Sequence, residues 1–247
     1  MHRRRIIFIA LYMGFIMAAL RRDFGTAILY AFAMLPKLAG PSATYPKDAA
    51  PKRVVVLLHG LGADGNDLFG LVPALAPALP ETAFIAPDAP FPCDMAPFGR
   101  QWFSVQSRTP AAIEAGVRAA ATILDAFLDE TLERFALGDA QLALVGFSQG
   151  TMMSLYVGPR RARQLAGIVG YSGRLLGDAS AFKSKPPILL VHGDADPVVP
   201  PQSLPLAVKA LEQAGVPVEA LSRPGLGHAI DEEGLRRGRD FLVRIFA

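Results

Sequence analysis

Leu142-Ala143-Leu144-Val145 runs without a break into Gly146-Phe147-Ser148-Gln149-Gly150, and Thr151-Met152-Met153-Ser154-Leu155-Tyr156 follows. An apolar strand, a glycine-flanked serine and a helix-forming run, in that order, constrain the fold more than anything else in the chain. A Gly-x-Ser-x-Gly turn between strand and helix lifts the serine hydroxyl above the edge of a sheet. The flanking glycines are required because a Cβ at either position would strike the neighbouring strand or helix. The helix that follows points its N-terminus at Ser148, where dipole and free amides favour developing negative charge. Alone, the pentapeptide is common; between a strand and a helix it is specific. Ser172, in Gly170-Tyr171-Ser172-Gly173-Arg174, lacks the second glycine and is rejected as the nucleophile.

The same alternation extends from Lys52 to the C-terminus. Val54–Leu58, Ala83–Ala86, Leu142–Val145, Gly167–Gly170, Ile188–Val191 and Val218–Ser222 read as short apolar strands. Helix candidates lie between them: 67–79 (weakened by Pro73 and Pro77), 111–135, 151–156, 203–215 and 232–246. Strands alternating with helices argue for a mainly parallel, doubly wound α/β sheet with helices on both faces. In such sheets, sites gather at the carboxyl ends of the strands. At 247 residues the chain fits one such domain, predicted here over 52–247.

The first forty residues differ in kind. Arg3-Arg4-Arg5 precede an apolar run of 15 residues from Ile6 to Leu20, short of the roughly 20 that span a bilayer as a helix. Arg21-Arg22-Asp23 break it, and a second apolar stretch runs from Phe24 to Leu35. Three readings fit residues 1–38: an irregular export signal or membrane anchor with Ala31-Phe32-Ala33 as a cleavage site, an amphipathic surface pair, or a leader upstream of the true start. Membrane contact through residues 6–35 belongs to the first two. Residues 39–51 read as a linker. This segment also explains the overall charge of +3. Its six basic side chains and one acid, taken from the chain's 25 and 22, leave 19 basic against 21 acidic, so nothing supplies the basic face that a nucleic-acid partner would need. The single cysteine, Cys93, excludes an intramolecular disulfide and leaves the compartment open.

A serine hydroxyl becomes a strong nucleophile only when a histidine takes its proton and a carboxylate holds that histidine. With the chain order Ser, acid, His, His228 is the histidine, since His59 precedes the serine and His192 ends a strand. Asp196 is preferred as the acid over Asp194, which lies nearer the strand end and suits a turn-capping role. The oxyanion of a tetrahedral intermediate needs preplaced amides. Gln149 supplies one, and Leu61, in the glycine-rich loop His59-Gly60-Leu61-Gly62-Ala63-Asp64-Gly65, supplies the other. That loop has no P-loop lysine. Trp102, the only tryptophan, is a candidate wall of an apolar acyl pocket, with a packed core residue as the alternative.

With these residues placed, the chain resembles the phospholipase/carboxylesterase family of α/β hydrolases, which includes acyl-protein thioesterases. The matching pieces are Leu57–Asp67, Arg100-Gln101-Trp102-Phe103, Gly146–Gly150, His192–Pro200 and Gly227-His228, spread over most of residues 52–246. The resemblance implies a triad of Ser148, Asp196 and His228, and oxyanion roles for the Leu61 and Gln149 amides. It also implies an α/β-hydrolase fold, no metal or cofactor, and small acyl esters or thioesters as substrates. Members are commonly cytoplasmic and often homodimeric; the leader at 1–38 departs from the pattern, which leaves membrane association or export open. Rival readings are a dienelactone-hydrolase-like or peptidase activity on the same fold, and a non-catalytic binding module.

Overall fold

The computed structural model of the chain describes residues 35–247. Nearly all of the apolar segment 1–38, and with it the expected membrane contact, lies outside that range. No helix among the described residues is long and apolar enough to cross a membrane.

Leu38–Ala247 forms one unit around a seven-stranded sheet. Its strands are β1 (Ser42–Tyr45), β2 (Arg53–Leu58), β3 (Thr82–Ile85), β6 (Leu142–Phe147), β7 (Gly167–Tyr171), β8 (Ile188–Gly193) and β9 (Val218–Arg223), in the spatial order β1-β3-β2-β6-β7-β8-β9. All pairings are parallel except β1 with β3. Two short strands, β4 (Phe91–Pro92) and β5 (Arg100–Gln101), form a separate antiparallel pair. The continuous apolar runs of the central strands have a simple cause. Successive side chains point to opposite faces and both faces are covered: Val54, Val56 and Leu58 enter one apolar layer, Val55 and Leu57 the other.

One layer holds α3 (Pro110–Phe135), α4 (Gln149–Val157) and α5 (Ser203–Gln213); the other holds α1 (Gly65–Phe69), α2 (Val72–Leu75) and α6 (Glu232–Ile245). Helix α3 is specified at both ends. Thr109 accepts the Ala112 amide as N-cap, Pro110 opens the first turn, and Ala136 ends the helix in the left-handed region at φ 54°. Between them Ile113, Val117, Ala120, Leu124, Leu128 and Leu132 form its buried stripe. Behind that stripe the buried Arg161 bonds Asp125 and Asp129 of α3 and also Asp139, which Arg163 contacts at 2.7 Å. Burial alone would raise the Asp139 carboxyl. The hydrogen bonds from Arg163 and Arg161 outweigh it and hold Asp139 below the usual carboxylate range.

Two expectations need correction. The segment 39–51 is not a plain linker, because β1 pairs with β3 from Ser42 opposite Ile85 to Tyr45 opposite Thr82. As an edge strand it is half exposed and lacks the apolar run by which the central strands announce themselves. The helix expected over 67–79 is three pieces: α1, α2 and a 3-10 turn at Ala76–Ala78. Pro73 and Pro77 each sit in a first turn, the only helical position that tolerates a missing amide hydrogen, so each starts a new piece.

The order of strands locates a site. From β2 the chain steps outward to β3, then crosses back to β6 on the other side of β2. The intervening helices cover opposite faces, α1 and α2 one and α3 the other, which opens a crevice beyond the carboxyl ends of β2 and β6. The His59–Gly65 loop and Ser148 emerge there.

Candidate active site

Ser148 sits between β6 and α4 with φ 53° and ψ −114°, a backbone conformation costing on the order of 1–3 kcal/mol for a residue with a side chain. The surroundings impose it. Its amide donates to the Tyr171 carbonyl on β7 at 2.9 Å, and its carbonyl accepts the Met152 amide at 3.1 Å. A Cβ on Gly150 would stand 1.8 Å from the Leu58 carbonyl oxygen, and one on Gly146 would stand 2.5 Å from the Gly150 carbonyl carbon, so helix, strand and turn close only with glycine there. The Thr151 hydroxyl lies within 2.8 Å of the Gly146 and 2.7 Å of the Tyr171 carbonyls, tying the first turn of α4 to both strands.

The loops after β8 and β9 carry Asp196 and His228. Asp196 is buried and every side of its carboxylate is engaged. Oδ1 accepts the Val198 and Val199 amides at 2.8 and 2.9 Å, and Oδ2 accepts the His228 Nδ1 proton at 2.7 Å. Burial would raise this carboxyl, but the bonds from His228 and from the Val199 and Val198 amides outweigh it, so Asp196 is held below the usual carboxylate range and stays ionised. The imidazole that donates through Nδ1 keeps a free lone pair on Nε2. His192 supports the same loop: its Nε2 donates to the Val199 carbonyl at 3.0 Å and lies 3.3 Å from Asp196 Oδ2. Asp194 bonds the Gly225 amide at 2.6 Å, clamping the loop that carries His228 rather than touching the imidazole.

The His228 ring lies 4.8 Å from that of Phe147, the residue before Ser148, and the Ser172 hydroxyl bonds the Ala229 carbonyl at 3.5 Å. Asp196 and His228 are therefore joined, and His228 is seated against the serine turn. No hydrogen bond between the Ser148 hydroxyl and His228 is formed among the described residues; such contacts commonly close only around substrate.

On the other side of Ser148 the His59–Gly65 loop is fixed by an uninterrupted set of polar contacts. The Ala89 amide donates to His59 Nε2 at 2.9 Å, so the proton resides on Nδ1 and is donated to the Gly60 carbonyl at 2.7 Å. Burial lowers the His59 pKa despite that bond and keeps the ring neutral. The His59 carbonyl accepts the Trp102 indole at 3.0 Å. The Trp102 amide in turn donates to the Gln149 side-chain oxygen at 2.8 Å, and the Gln149 side-chain nitrogen donates to the Phe103 carbonyl at 2.8 Å. Two further bonds pin the loop to β5, Gly62 amide to Arg100 carbonyl and Arg100 amide to Ala63 carbonyl, both 2.8 Å. Among the described residues the Leu61 and Gln149 amides have no acceptor, and a Cβ on Gly60 would come within 3.4 Å of the Ser148 Cβ. Gln149 follows Ser148 directly, and Leu61 follows Gly60, which lies against the serine side chain.

Trp102 does not wall a pocket. It has no accessible surface and packs in the core, its indole spent on the His59 carbonyl. The Arg100–Phe103 segment acts instead as a strut between Gln149 and the His59 loop. The side-chain roles of Gln149, His59 and His192 have no motif of their own in the sequence. Their one signal is that polar side chains inside apolar runs must find partners if buried.

Residues 40–245 match the model of the family described as Phospholipase/Carboxylesterase. Esterase YpfH of Escherichia coli (strain K12) is 29% identical over 198 residues, 79% of this chain and 84% of that protein. Acyl-protein thioesterase 1 of Neurospora crassa is 28% identical over 223 residues, 82% of this chain and 91% of that protein. Among solved structures, esterase PE8 superposes with a TM-score of 0.81 at 40% identity, covering 85% of this chain and 99% of that one. SOBER1 of Arabidopsis thaliana gives 0.70 at 26% identity, covering 79% and 99%.

Proposed function

The chain belongs to the phospholipase/carboxylesterase family and is a serine hydrolase of carboxylic esters or thioesters, and from that premise we propose that Ser148, His228 and Asp196 are its nucleophile, general base and orienting acid. The observation that carries this reading is the 2.7 Å bond from His228 Nδ1 to Asp196 beside a serine held at positive φ.

Ser148 Oγ attacks the acyl carbonyl carbon as its proton passes to His228 Nε2. The carbonyl oxygen becomes an oxyanion that accepts the Leu61 and Gln149 amides. Asp196 stays ionised and stabilises the imidazolium. Collapse breaks the bond to the alcohol or thiol, which leaves with the proton from His228. Water then repeats the sequence on the acyl-serine, releasing the carboxylic acid and restoring Ser148. The positive φ of Ser148 and the hydrogen bonds that fix the His59–Gly65 loop support this reading, since donors held in place by the fold need little reorganisation as charge develops.

The test is hydrolysis of p-nitrophenyl esters from acetate to laurate, and of the matching acyl thioesters, by the full chain and by Ser148→Ala. Turnover lost by orders of magnitude in the variant supports the assignment; turnover retained in it refutes it. The ratio of ester to thioester rates then fixes the favoured leaving group.

A further inference from the structure

Beside the nucleophile helix, a cavity of about 420 Å³ lies between the first turns of α3 and the loop after β7. Its walls are apolar where they meet the core: Ile113 and Val117 of α3, Tyr156 of α4, and Leu175 and Leu176. Arg108 and Arg174 also line it. Both are exposed, and among the described residues neither belongs to any ion pair.

The one acid in the lining, Glu114, is already matched by Arg118 at 2.9 Å. Behind the wall the Arg160 guanidinium lies 4.0 Å from the centre of the Tyr156 ring and is offset by the neighbouring Asp178, so the unmatched charge rests on Arg108 and Arg174. The cleft is therefore an apolar trough with a surplus of positive charge.

Both arginines issue from segments anchored on the serine turn. Arg174 follows Gly173, where a Cβ would stand 3.1 Å from the Ser148 carbonyl oxygen. Arg108 lies on the segment between Phe103, whose carbonyl is bonded to Gln149, and the Thr109 cap of α3. Gly173 alone separates Arg174, on the lining of the cleft, from the Ser148 turn, so a molecule extending from Ser148 past Gly173 reaches apolar wall and guanidinium together. Planar guanidinium groups without partners select carboxylate or phosphate oxygens, through paired hydrogen bonds that ammonium groups do not reproduce.

We propose that this cleft receives the far end of the substrate, and that Arg108 and Arg174 select esters or thioesters with an anionic group separated by an aliphatic stretch from the scissile carbonyl. The inference rests on the serine-hydrolase reading above. The anion can sit on the acyl or the alcohol side of the scissile bond, and two matched pairs distinguish them. The acyl arm compares the mono-p-nitrophenyl ester of suberic acid with p-nitrophenyl octanoate; the alcohol arm compares lauroyl glycerol phosphate with lauroyl glycerol.

The full chain should prefer the anionic member of one pair. Arg174→Gln or Arg108→Gln should reduce kcat/KM for that member by roughly tenfold through KM, leaving the neutral member unchanged. Arg236→Gln, an exposed charge on α6, should change neither. Arg174→Glu should move the preference toward p-nitrophenyl 8-aminooctanoate, which establishes a charge readout rather than a packing defect. No anionic preference in either arm, or a loss shared equally by both members of a pair, overturns the proposal. Ser148-dependent turnover of the neutral esters in that case leaves the hydrolase assignment standing. Absence of turnover on every ester defeats the hydrolase assignment itself.

Discussion

His228 Nδ1 donates to one oxygen of Asp196 at 2.7 Å, while the other oxygen accepts the amides of Val198 and Val199. One carboxylate thus builds its own loop and aims the imidazole. In Asp196→Asn the amide oxygen can keep both backbone bonds, but its NH2 group must face His228 Nδ1 and drive the ring proton to Nε2. The fold should persist, with circular dichroism and melting close to the parent, while kcat falls by about 10⁴-fold. A variant that stays active would remove Asp196 from the machinery.

Asp139 gives a pH signature of stability. Its depressed carboxyl contributes stability in full above the unfolded value near 3.9 and loses it as the pH falls through the lower folded value. Asp139→Asn should cost roughly 2 kcal/mol at neutral pH, less than a lone buried pair because Arg161 retains Asp125 and Asp129. Urea unfolding of parent and variant should show a constant gap from neutral pH to about pH 5, then convergence toward pH 3. A gap that widens on acidification contradicts the assignment.

Two glycines should fail in opposite ways. At Gly150 a methyl meets the Leu58 carbonyl oxygen at 1.8 Å, a backbone atom that cannot yield, so Gly150→Ala should abolish soluble folded protein or lower its stability by more than about 3 kcal/mol. At Gly60 the nearest atoms are side-chain atoms, of Phe147 at 3.1 Å and Ser148 at 3.4 Å. Gly60→Ala should fold and lose turnover, because the added methyl crowds the space over the serine. Thermal melts run beside ester hydrolysis separate the two outcomes.

Trp102→Phe separates strut from pocket wall. The substitution strands the His59 carbonyl and should cost about 1–3 kcal/mol of stability. The order of preference along an ester chain-length series should stay the same, since the ring touches no substrate space. A shift of the optimum to longer chains would restore Trp102 to the pocket.

Much of this architecture is legible in the order of residues alone. Buried parallel strands announce themselves because both their faces are covered, which is why Val54–Leu58 and Ile188–Val191 are visible as apolar runs. Ser148 is visible because its turn demands two glycines at fixed spacing. The choice of Asp196 over Asp194 follows from reach along the loop, and the second acid proves to clamp Gly225. What escapes is non-local. Strand β1 is polar and half exposed, and only its pairing with β3, some forty residues onward, makes it a strand. Trp102 reads equally as wall or core until the His59 carbonyl is seen to take its indole proton. The arginine-rimmed cleft draws on α3, α4 and the loop after β7, and no local pattern joins them.

The most direct measurement on the central claim is the intact mass of the full chain after treatment with a fluorophosphonate, followed by peptide mapping. The expected result is a single phosphonyl adduct on Ser148, absent in Ser148→Ala and formed far more slowly in His228→Ala. An adduct on another residue, or unchanged labelling in Ser148→Ala, would contradict the assignment of Ser148 as the nucleophile.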